Sequence, residues 1–190
     1  MAKGEKAKDL FTASEVARFC QVDLKTIHNW AERGEVRHFR TPGRHLRFRR
    51  VDVLDFLRKY GYPIPDDLQQ GKPRVLVLED DARGAAETEK ALQDDFEVES
   101  HTDPVCALLS IGAEAPDAVI VDDRVGSLDG VHIIDCIHAA EPTRHVRTVL
   151  FSNDSARKRD AMDHGASAHV ERPDRTQLRD TLEALMGLER

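Results

Sequence analysis

Several side chains of the kinds that handle phosphoryl groups lie at the ends of apolar runs in the second half of the chain. Glu79 and Asp80 end one run, Asp122 ends another, and Ser152 and Arg172 lie at the ends of two more. Crowded carboxylate oxygens suit a hard cation such as Mg²⁺. Beside a cation, a carboxylate can attack a phosphoryl group and form an aspartyl phosphate. The alternative is that these acids only cap the following helices, but acids, hydroxyl and base together favour a site.

These side chains can meet only if the apolar runs are neighbouring strands. Five strands are predicted at Val75–Asp80, Phe96–His101, Ala118–Asp123, Thr148–Asn153 and Ala168–Glu171. Helices are predicted between and after them at Arg83–Gln93, Pro104–Glu114, Val131–Ala140, Ser155–Gly165 and Arg175–Leu188. The fivefold alternation indicates an α/β fold with a doubly wound parallel sheet. Ligands of such sheets lie beyond the carboxyl ends of the strands.

The first part of the chain has the opposite charge. Residues 1–72 carry 15 Lys+Arg and 10 Asp+Glu, a net charge of +5, whereas residues 73–190 carry 13 and 25, a net charge of -12. Between residues 36 and 50 there are six arginines and no acid. A solvated basic surface is the simplest interpretation of such a run. Its position after two short helices favours double-stranded DNA as the partner.

The two short helices are predicted from their caps. Ser14, or alternatively Thr12, caps the first, and Asp23 caps a second helix from Leu24 to about Arg33, ended by Gly34. A tight turn between two such helices is the helix-turn-helix pattern, and two extended runs around Thr41-Pro42-Gly43 predict a hairpin wing. The predicted DNA-binding residues are Lys25, Thr26, His28, Asn29, Arg37, Arg40, Arg44, His45, Arg47 and Arg49.

Composition limits the location and the domain organisation. The N-terminus lacks the apolar core of a signal peptide, no run approaches a membrane span, and three widely spaced cysteines fit a reduced, cytoplasmic protein. Residues 61–73 hold three prolines and two glycines without apolar periodicity, which predicts a linker. The expected domains are therefore 10–60 for DNA binding and 74–188 for the α/β domain.

Residues 10–58 resemble the winged helix-turn-helix of the MerR superfamily, closest to the short excisionase-type or BldC-like branch. That group's wing commonly reads R-T-x-G-G-H-R-R-F/Y-R, and this wing reads R-T-P-G-R-H-L-R-F-R from Arg40 to Arg49. The resemblance implies that the second helix enters the major groove and that the wing touches the backbone or minor groove. Asn29 stands where relatives often have Arg, and Arg44 replaces a second glycine.

Residues 74–188 resemble a response-regulator receiver domain, a flavodoxin-like (βα)5 fold. The family's acidic pair corresponds to Glu79 and Asp80, and counting back eight residues from Gly130 identifies Asp122, not Asp123, as the phosphoacceptor. The resemblance implies Mg²⁺ held by Asp80, Asp122 and the carbonyl of Arg124, with Glu79 acting through water.

The departures from the receiver pattern lie at its switch. Ser152 takes the place of the family's Thr/Ser, Asn153 replaces a small residue, His169 replaces the reporting Tyr or Phe, and Arg172 replaces the lysine that contacts the phosphoryl group. Arginine and lysine are not interchangeable at such a site, and Arg172 can instead lie on Asp122 and fill the pocket. Phosphorylation at Asp122 and a fixed, phosphorylation-independent pseudo-receiver therefore remain equal alternatives.

We expect a cytoplasmic DNA-binding transcriptional regulator of the response-regulator type and not an enzyme. A phosphohydrolase would need a second aspartate where Arg124 stands. Expected partners are DNA, a sensor histidine kinase or another protein, and a second copy through the receiver, with no membrane. The alternative is an adaptor whose pseudo-receiver docks a protein, with weak or architectural DNA binding.

Overall fold

The computed structural model describes residues 10–65, 68 and 71–188. The N-terminal segment 1–9 and residues 66, 67, 69 and 70 of the predicted linker lie outside the described residues. The chain divides into two compact units, Met1–Gly71 and Lys72–Arg190, each with an apolar core of its own. None of the helices in the described ranges is long and apolar enough to cross a membrane.

The N-terminal unit combines short helices with a small antiparallel sheet of strand order β1-β3-β2. Its elements are β1 (Leu10–Thr12), α1 (Ala13–Cys20), α2 (Leu24–Glu32), β2 (Phe39–Arg40), β3 (Leu46–Arg49) and α3 (Arg50–Lys59). The sequence predicts the helix pair and the wing, but not β1. Three residues are too few for a periodic signal, and β1 exists because Phe11 pairs with Phe48 of β3.

Local hydrogen bonds position the two helices of the helix-turn-helix. The cap of α1 is Thr12, in a capping box with Glu15, so the first of the two predicted caps, Ser14, is wrong. Asp23 caps α2 as predicted, its Oδ1 accepting from the Thr26 N–H at 2.7 Å. Gln21 ends α1 in the left-handed region with φ 54°, which turns the chain toward α2.

The core of the N-terminal unit extends into the segment that the sequence predicts as a linker. Leu68 is fully buried in this core, and Tyr62 and Ile64 pack against it. Arg50 is buried as well, and its Nε donates to the Leu68 carbonyl at 3.1 Å. One of the six arginines of the basic run therefore holds the core together and is not available to DNA.

The C-terminal unit is the predicted doubly wound α/β fold. Its elements are β4 (Arg74–Leu78), α4 (Ala82–Leu92), β5 (Glu97–His101), α5 (Pro104–Ala113), β6 (Ala118–Asp122), β7 (Arg124–Val125), β8 (Leu128–Asp129), α6 (Gly130–Ala139), β9 (Arg147–Ser152), α7 (Arg157–Asp163), β10 (Ala168–Glu171) and α8 (Arg175–Leu185). Five parallel strands have the order β10-β9-β6-β4-β5, so strand order reverses beside β4 and β6. The fold class predicted from the sequence is confirmed.

At the carboxyl edge of the five-stranded sheet, the structure differs from the sequence prediction in two places. Strand β4 ends at Leu78, so Glu79 and Asp80 belong to the following loop and not to the strand. After β6, the chain forms a short antiparallel hairpin of β7 and β8 around Gly126, which has φ 60°. The sequence does not predict this hairpin, because each strand has only two residues and the turn depends on the left-handed glycine.

Candidate functional site

The predicted pocket residues gather at the carboxyl edge of the five-stranded sheet. Asp122 ends β6, Glu79 and Asp80 follow the neighbouring strand β4, Ser152 ends β9, and Arg172 follows β10. The guanidinium of Arg172 joins two of the acids. Its Nη2 lies 2.8 Å from Glu79 Oε2 and 3.1 Å from Asp122 Oδ2.

Glu79 is the most enclosed member of the pocket. Its side chain is 0% exposed, and Oε1 accepts from Thr88 Oγ1 on α4 at 2.5 Å. Thr88 Oγ1 in turn accepts from Arg175 Nε at 3.2 Å. Among the described atoms, Glu79 Oε2 gains no directed hydrogen bond, so the close approach of Arg172 is ionic. Thr88 and Arg175 are pocket residues that the sequence analysis missed.

Both carboxylate oxygens of Asp122 already have donors. Oδ1 accepts from the Asp123 N–H at 2.7 Å, and Oδ2 accepts from the Asp80 N–H at 3.4 Å while facing Arg172. Burial raises the pKa of Asp122 above its ordinary value, and the charge of Arg172 is the strongest opposing effect. The folded protein therefore penalises the ionised form of Asp122, which is the form that acts as a nucleophile.

The predicted Mg²⁺ ligands have suitable chemistry but an unsuitable arrangement. Asp80 Oδ1 is turned toward the β7–β8 hairpin, where it accepts from the Gly126 N–H at 2.6 Å. Arg172 covers Glu79 and Asp122, and no group of three His, Cys, Asp or Glu side chains among the described residues is placed to hold a metal ion. A divalent cation thus does not fit at Glu79, Asp80, Asp122 and Arg124 while Arg172 occupies the pocket.

The other predicted switch residues point to different environments. Ser152 is buried, and its Oγ accepts from the Asp154 N–H at 2.9 Å. Asn153 is exposed. His169 is half-buried, and its Nε2 is enclosed without a hydrogen-bond partner among the described atoms. Among these four described residues, Arg172 forms the ion pairs with the acids, whereas the Ser152 hydroxyl serves the turn after β9.

The glycine from which Asp122 was counted lies directly against that residue. Gly130 begins α6 directly against the end of β6, and its N–H donates to the Asp123 carbonyl at 2.8 Å. A Cβ at Gly130 would overlap the carbonyl oxygen of Asp122. The helix can therefore start beside Asp122 only if the residue at this point has no side chain.

Arg157 at the start of α7 ties down the loop after Asp122 and was missed by the sequence analysis. Its Nη2 lies 2.6 Å from Asp129 Oδ1, and its Nη1 lies 3.2 Å from Asp123 Oδ1. The hydrogen bond from Arg157 holds the pKa of Asp129 below its usual range. Asp123, which the sequence leaves without a role, is thus a structural ion-pair partner.

The second candidate site is the nucleic-acid face of the N-terminal unit. Lys25, His28 and Asn29 are exposed at i, i+3 and i+4 of α2, so they share one side of the helix, opposite buried Ile27. Thr26 is half-buried, and its hydroxyl donates to Asp23 Oδ1 at 2.9 Å, so its side chain is committed to the helix cap.

The wing presents most of the remaining predicted residues. Arg37, Arg40, Arg44 and His45 are exposed, whereas Arg47 and Arg49 are half-buried. Arg44 occupies the left-handed region with φ 62°, a backbone conformation that favours glycine. Phe39 is 39% exposed and pairs with Arg47 across the hairpin. It is an apolar residue of the wing that the sequence analysis did not identify.

Comparisons with known proteins agree with this division. A helix-turn-helix domain model matches residues 10–61, and a response regulator receiver domain model matches residues 75–183. The transcriptional regulatory protein PrrA of Mycobacterium tuberculosis is 34% identical over 103 residues, which are 53% of this chain and 44% of PrrA. This chain thus spans less than half of the length of that relative.

Two further matches concern the receiver. A protein-glutamate methylesterase/protein-glutamine glutaminase of Anaeromyxobacter dehalogenans is 30% identical over 103 residues, 53% of this chain and 30% of that protein. The chemotaxis response regulator CheY4 of Vibrio cholerae has a TM-score of 0.57 at 19% identity, over 60% of this chain and 99% of CheY4. The structural likeness shows the fold. The receiver domain model covers more than half of this chain, so the chain belongs to the response regulator receiver domain family. A helix-turn-helix domain precedes the receiver.

Proposed function

We propose that this chain is a cytoplasmic, DNA-binding transcriptional regulator of the response-regulator type. The helix-turn-helix domain, which we assign to the MerR superfamily on its wing motif, binds double-stranded DNA, and the receiver sets activity or dimerisation. The observation that carries the proposal is the set of exposed cations at the matched helix-turn-helix domain: Lys25, Arg37, Arg40 and Arg44. The name of the relative PrrA supports regulation of transcription.

The proposed binding mode divides the work between helix and wing. The exposed face of α2 enters the major groove, where Asn29 has the amide geometry to pair with an adenine edge. The wing arginines contact phosphates or the minor groove. Because phosphate contacts release counterions, affinity should fall steeply as salt increases.

A salt titration of DNA binding tests this mode. Arg40→Ala with Arg47→Ala should weaken binding to all sequences and reduce the salt slope by about 2, since each phosphate contact contributes about 0.9. The matched control replaces two exposed arginines of the receiver, Arg83 and Arg159, and so removes the same charge elsewhere. Equal effects of both pairs would refute a specific role of the wing.

For the receiver we propose Asp122 as the phosphoacceptor, a sensor histidine kinase as the phosphoryl donor, and Ser152, Asn153, His169 and Arg172 as the residues that respond. Glu79, Asp80, Asp122 and the Arg124 carbonyl would hold Mg²⁺ if Arg172 withdraws. The second candidate function is a phosphorylation-independent pseudo-receiver that docks a protein partner. The ion pairs of Arg172 with Glu79 and Asp122 favour this second function.

Incubation with acetyl phosphate and Mg²⁺ separates these two functions. Intact-mass analysis of the wild type and of Asp122→Asn would show a phosphoryl adduct in the wild type alone if Asp122 is the acceptor. Oligomeric state with a beryllium fluoride mimic gives an independent readout. The absence of any Asp122-dependent change would reject the phosphoacceptor and leave the pseudo-receiver.

A further inference from the structure

We propose that the guanidinium of Arg172 is a fixed internal cation that takes the place of a divalent ion in the receiver pocket. It holds the pocket in one arrangement whether or not Asp122 carries a charge. The inference rests on the proposed receiver function, because it concerns the regulation of the same pocket. The inference adds that the ion pair of Glu79 with Arg172, and not the charge of Asp122, determines the arrangement of the pocket.

Arg172 has anchors that do not involve Asp122. Its Nε donates to the Phe151 carbonyl on β9 at 3.0 Å, and its guanidinium carbon lies 4.7 Å from the centre of the Phe151 ring. Its Nη2 meets Glu79 Oε2 at 2.8 Å, closer than Asp122 Oδ2 at 3.1 Å. A lysine ammonium is a point charge and cannot reproduce this set, since it has no second nitrogen to reach the backbone while the first faces the acids.

Glu79 makes the cation necessary. A carboxylate that is 0% exposed is costly to bury without a cation, and the structure places Arg172 against the oxygen that Thr88 leaves unbonded. The first turn of α4 closes the pocket from another direction. A Cβ at Gly84 would lie 2.6 Å from Glu79 Oε2 and 3.8 Å from Arg172 Nη1. Little room is left beside this oxygen for a second cation.

A divalent ion and Arg172 therefore exclude each other. The guanidinium is a cation, so a metal ion bound to Asp122 would face a like charge. The Gly126 N–H also occupies Asp80 Oδ1, which leaves one oxygen of this acid for a cation. The consequence is a receiver whose occupancy by metal is low until Arg172 is displaced, and whose state does not follow the charge of Asp122.

Binding of Mn²⁺ to the full-length protein, followed by electron paramagnetic resonance, tests the inference directly. We expect the wild type to bind Mn²⁺ no better than its Asp80→Asn variant, which lacks one of the predicted metal ligands. Arg172→Lys should bind Mn²⁺ roughly tenfold more tightly than the wild type, a difference of about 1.4 kcal/mol. This gain should disappear in Arg172→Lys combined with Asp80→Asn.

Stoichiometric Mn²⁺ binding by the wild type that Asp80→Asn abolishes would overturn the inference, and so would Arg172→Lys binding no tighter than the wild type. The comparison of the wild type with Asp80→Asn stays decisive if Arg172→Lys fails to fold. DNA binding of the same samples reports separately on the proposed function. If the wild type binds Mn²⁺ and also binds DNA, only the role of Arg172 is refuted. If the wild type excludes Mn²⁺ but does not bind DNA, only the proposed DNA-binding function is refuted.

Discussion

Replacing Arg157 with alanine should destabilise the C-terminal unit by about 1–2 kcal/mol. The side chain is 23% exposed and bridges Asp129, which is 45% exposed, and Asp123, which is 36% exposed. Charge-assisted hydrogen bonds in buried sites contribute about 1.5–3 kcal/mol, whereas exposed ion pairs contribute about 0.2–1 kcal/mol. The partial exposure of the acids places this bridge between those ranges. For a domain of this size, the loss corresponds to a decrease in Tm of about 4–8 °C.

The effect should depend on pH in a defined direction. Arg157 holds the pKa of Asp129 below its usual range, so the stabilisation is present above the unfolded pKa of about 3.9. It is lost as the pH falls through the lowered folded pKa, because the protonated acid no longer attracts the guanidinium. The difference between wild type and variant should therefore be full at neutral pH and shrink below about pH 4.

The assay must report on the C-terminal unit alone. Trp30, Tyr60 and Tyr62 are all the tryptophan and tyrosine residues of the chain, and they lie in the N-terminal unit, so their fluorescence cannot follow the receiver. Hydrogen exchange of the Val131 and His132 amides can report on the receiver, because both amides donate to Asp129 Oδ1 at the start of α6. Faster exchange at these amides is the expected local signature.

Lys158→Ala is the matched control, since it removes a positive charge from an exposed neighbour on the same helix. Arg157→Lys should recover less than half of the loss, because an ammonium cannot span both acids as the guanidinium fork does. If Arg157→Ala and Lys158→Ala differ by less than about 0.3 kcal/mol, the bridge has no structural role and the reasoning fails.

Three further changes have defined outcomes. Gln21→Gly should raise the stability of the N-terminal unit by about 0.5–1 kcal/mol, measured by Trp30 fluorescence in urea. The left-handed φ of 54° costs a residue with a Cβ about 1–2 kcal/mol, and the greater chain entropy of glycine offsets about half of that gain. Arg44→Gly should stabilise the wing for the same reason while it reduces the salt slope of DNA binding by about 0.9, so stability and affinity should move in opposite directions. Asp122→Asn should increase stability at neutral pH, because burial raises the pKa of Asp122 and its ionised form is penalised. As pH falls through that raised pKa, folded wild-type Asp122 takes up a proton and the difference should shrink, disappearing below the unfolded pKa of about 3.9, in circular-dichroism urea titrations.

Much of the fold follows from local pattern. Continuous apolar runs at Val75–Leu78, Ala118–Val121 and Thr148–Phe151 predict strands buried on both faces, and all three are central strands of the sheet. Caps such as Asp23 are readable because they act within one turn. Elements that depend on a distant partner were missed: β1 needs β3, and the β7–β8 hairpin is held by Asp80, 46 residues earlier than Gly126 in the chain.

The sequence by itself determined the residue types and the two-part organisation, and the resemblance to receiver domains supplied the count from Gly130 to Asp122. The structure adds a steric reason for a glycine beside Asp122. Only the tertiary structure decided which charges meet. Arg172 is joined to Glu79 and Phe151, and Arg157 to Asp123 and Asp129, across loops that no spacing rule connects. Side-chain ion pairs depend on where strands end and helices begin to within about one residue. Glu79 could be neutralised by a guanidinium or by a divalent ion. The sequence does not decide between them, because the placement of Arg172 against Glu79 depends on the tertiary structure.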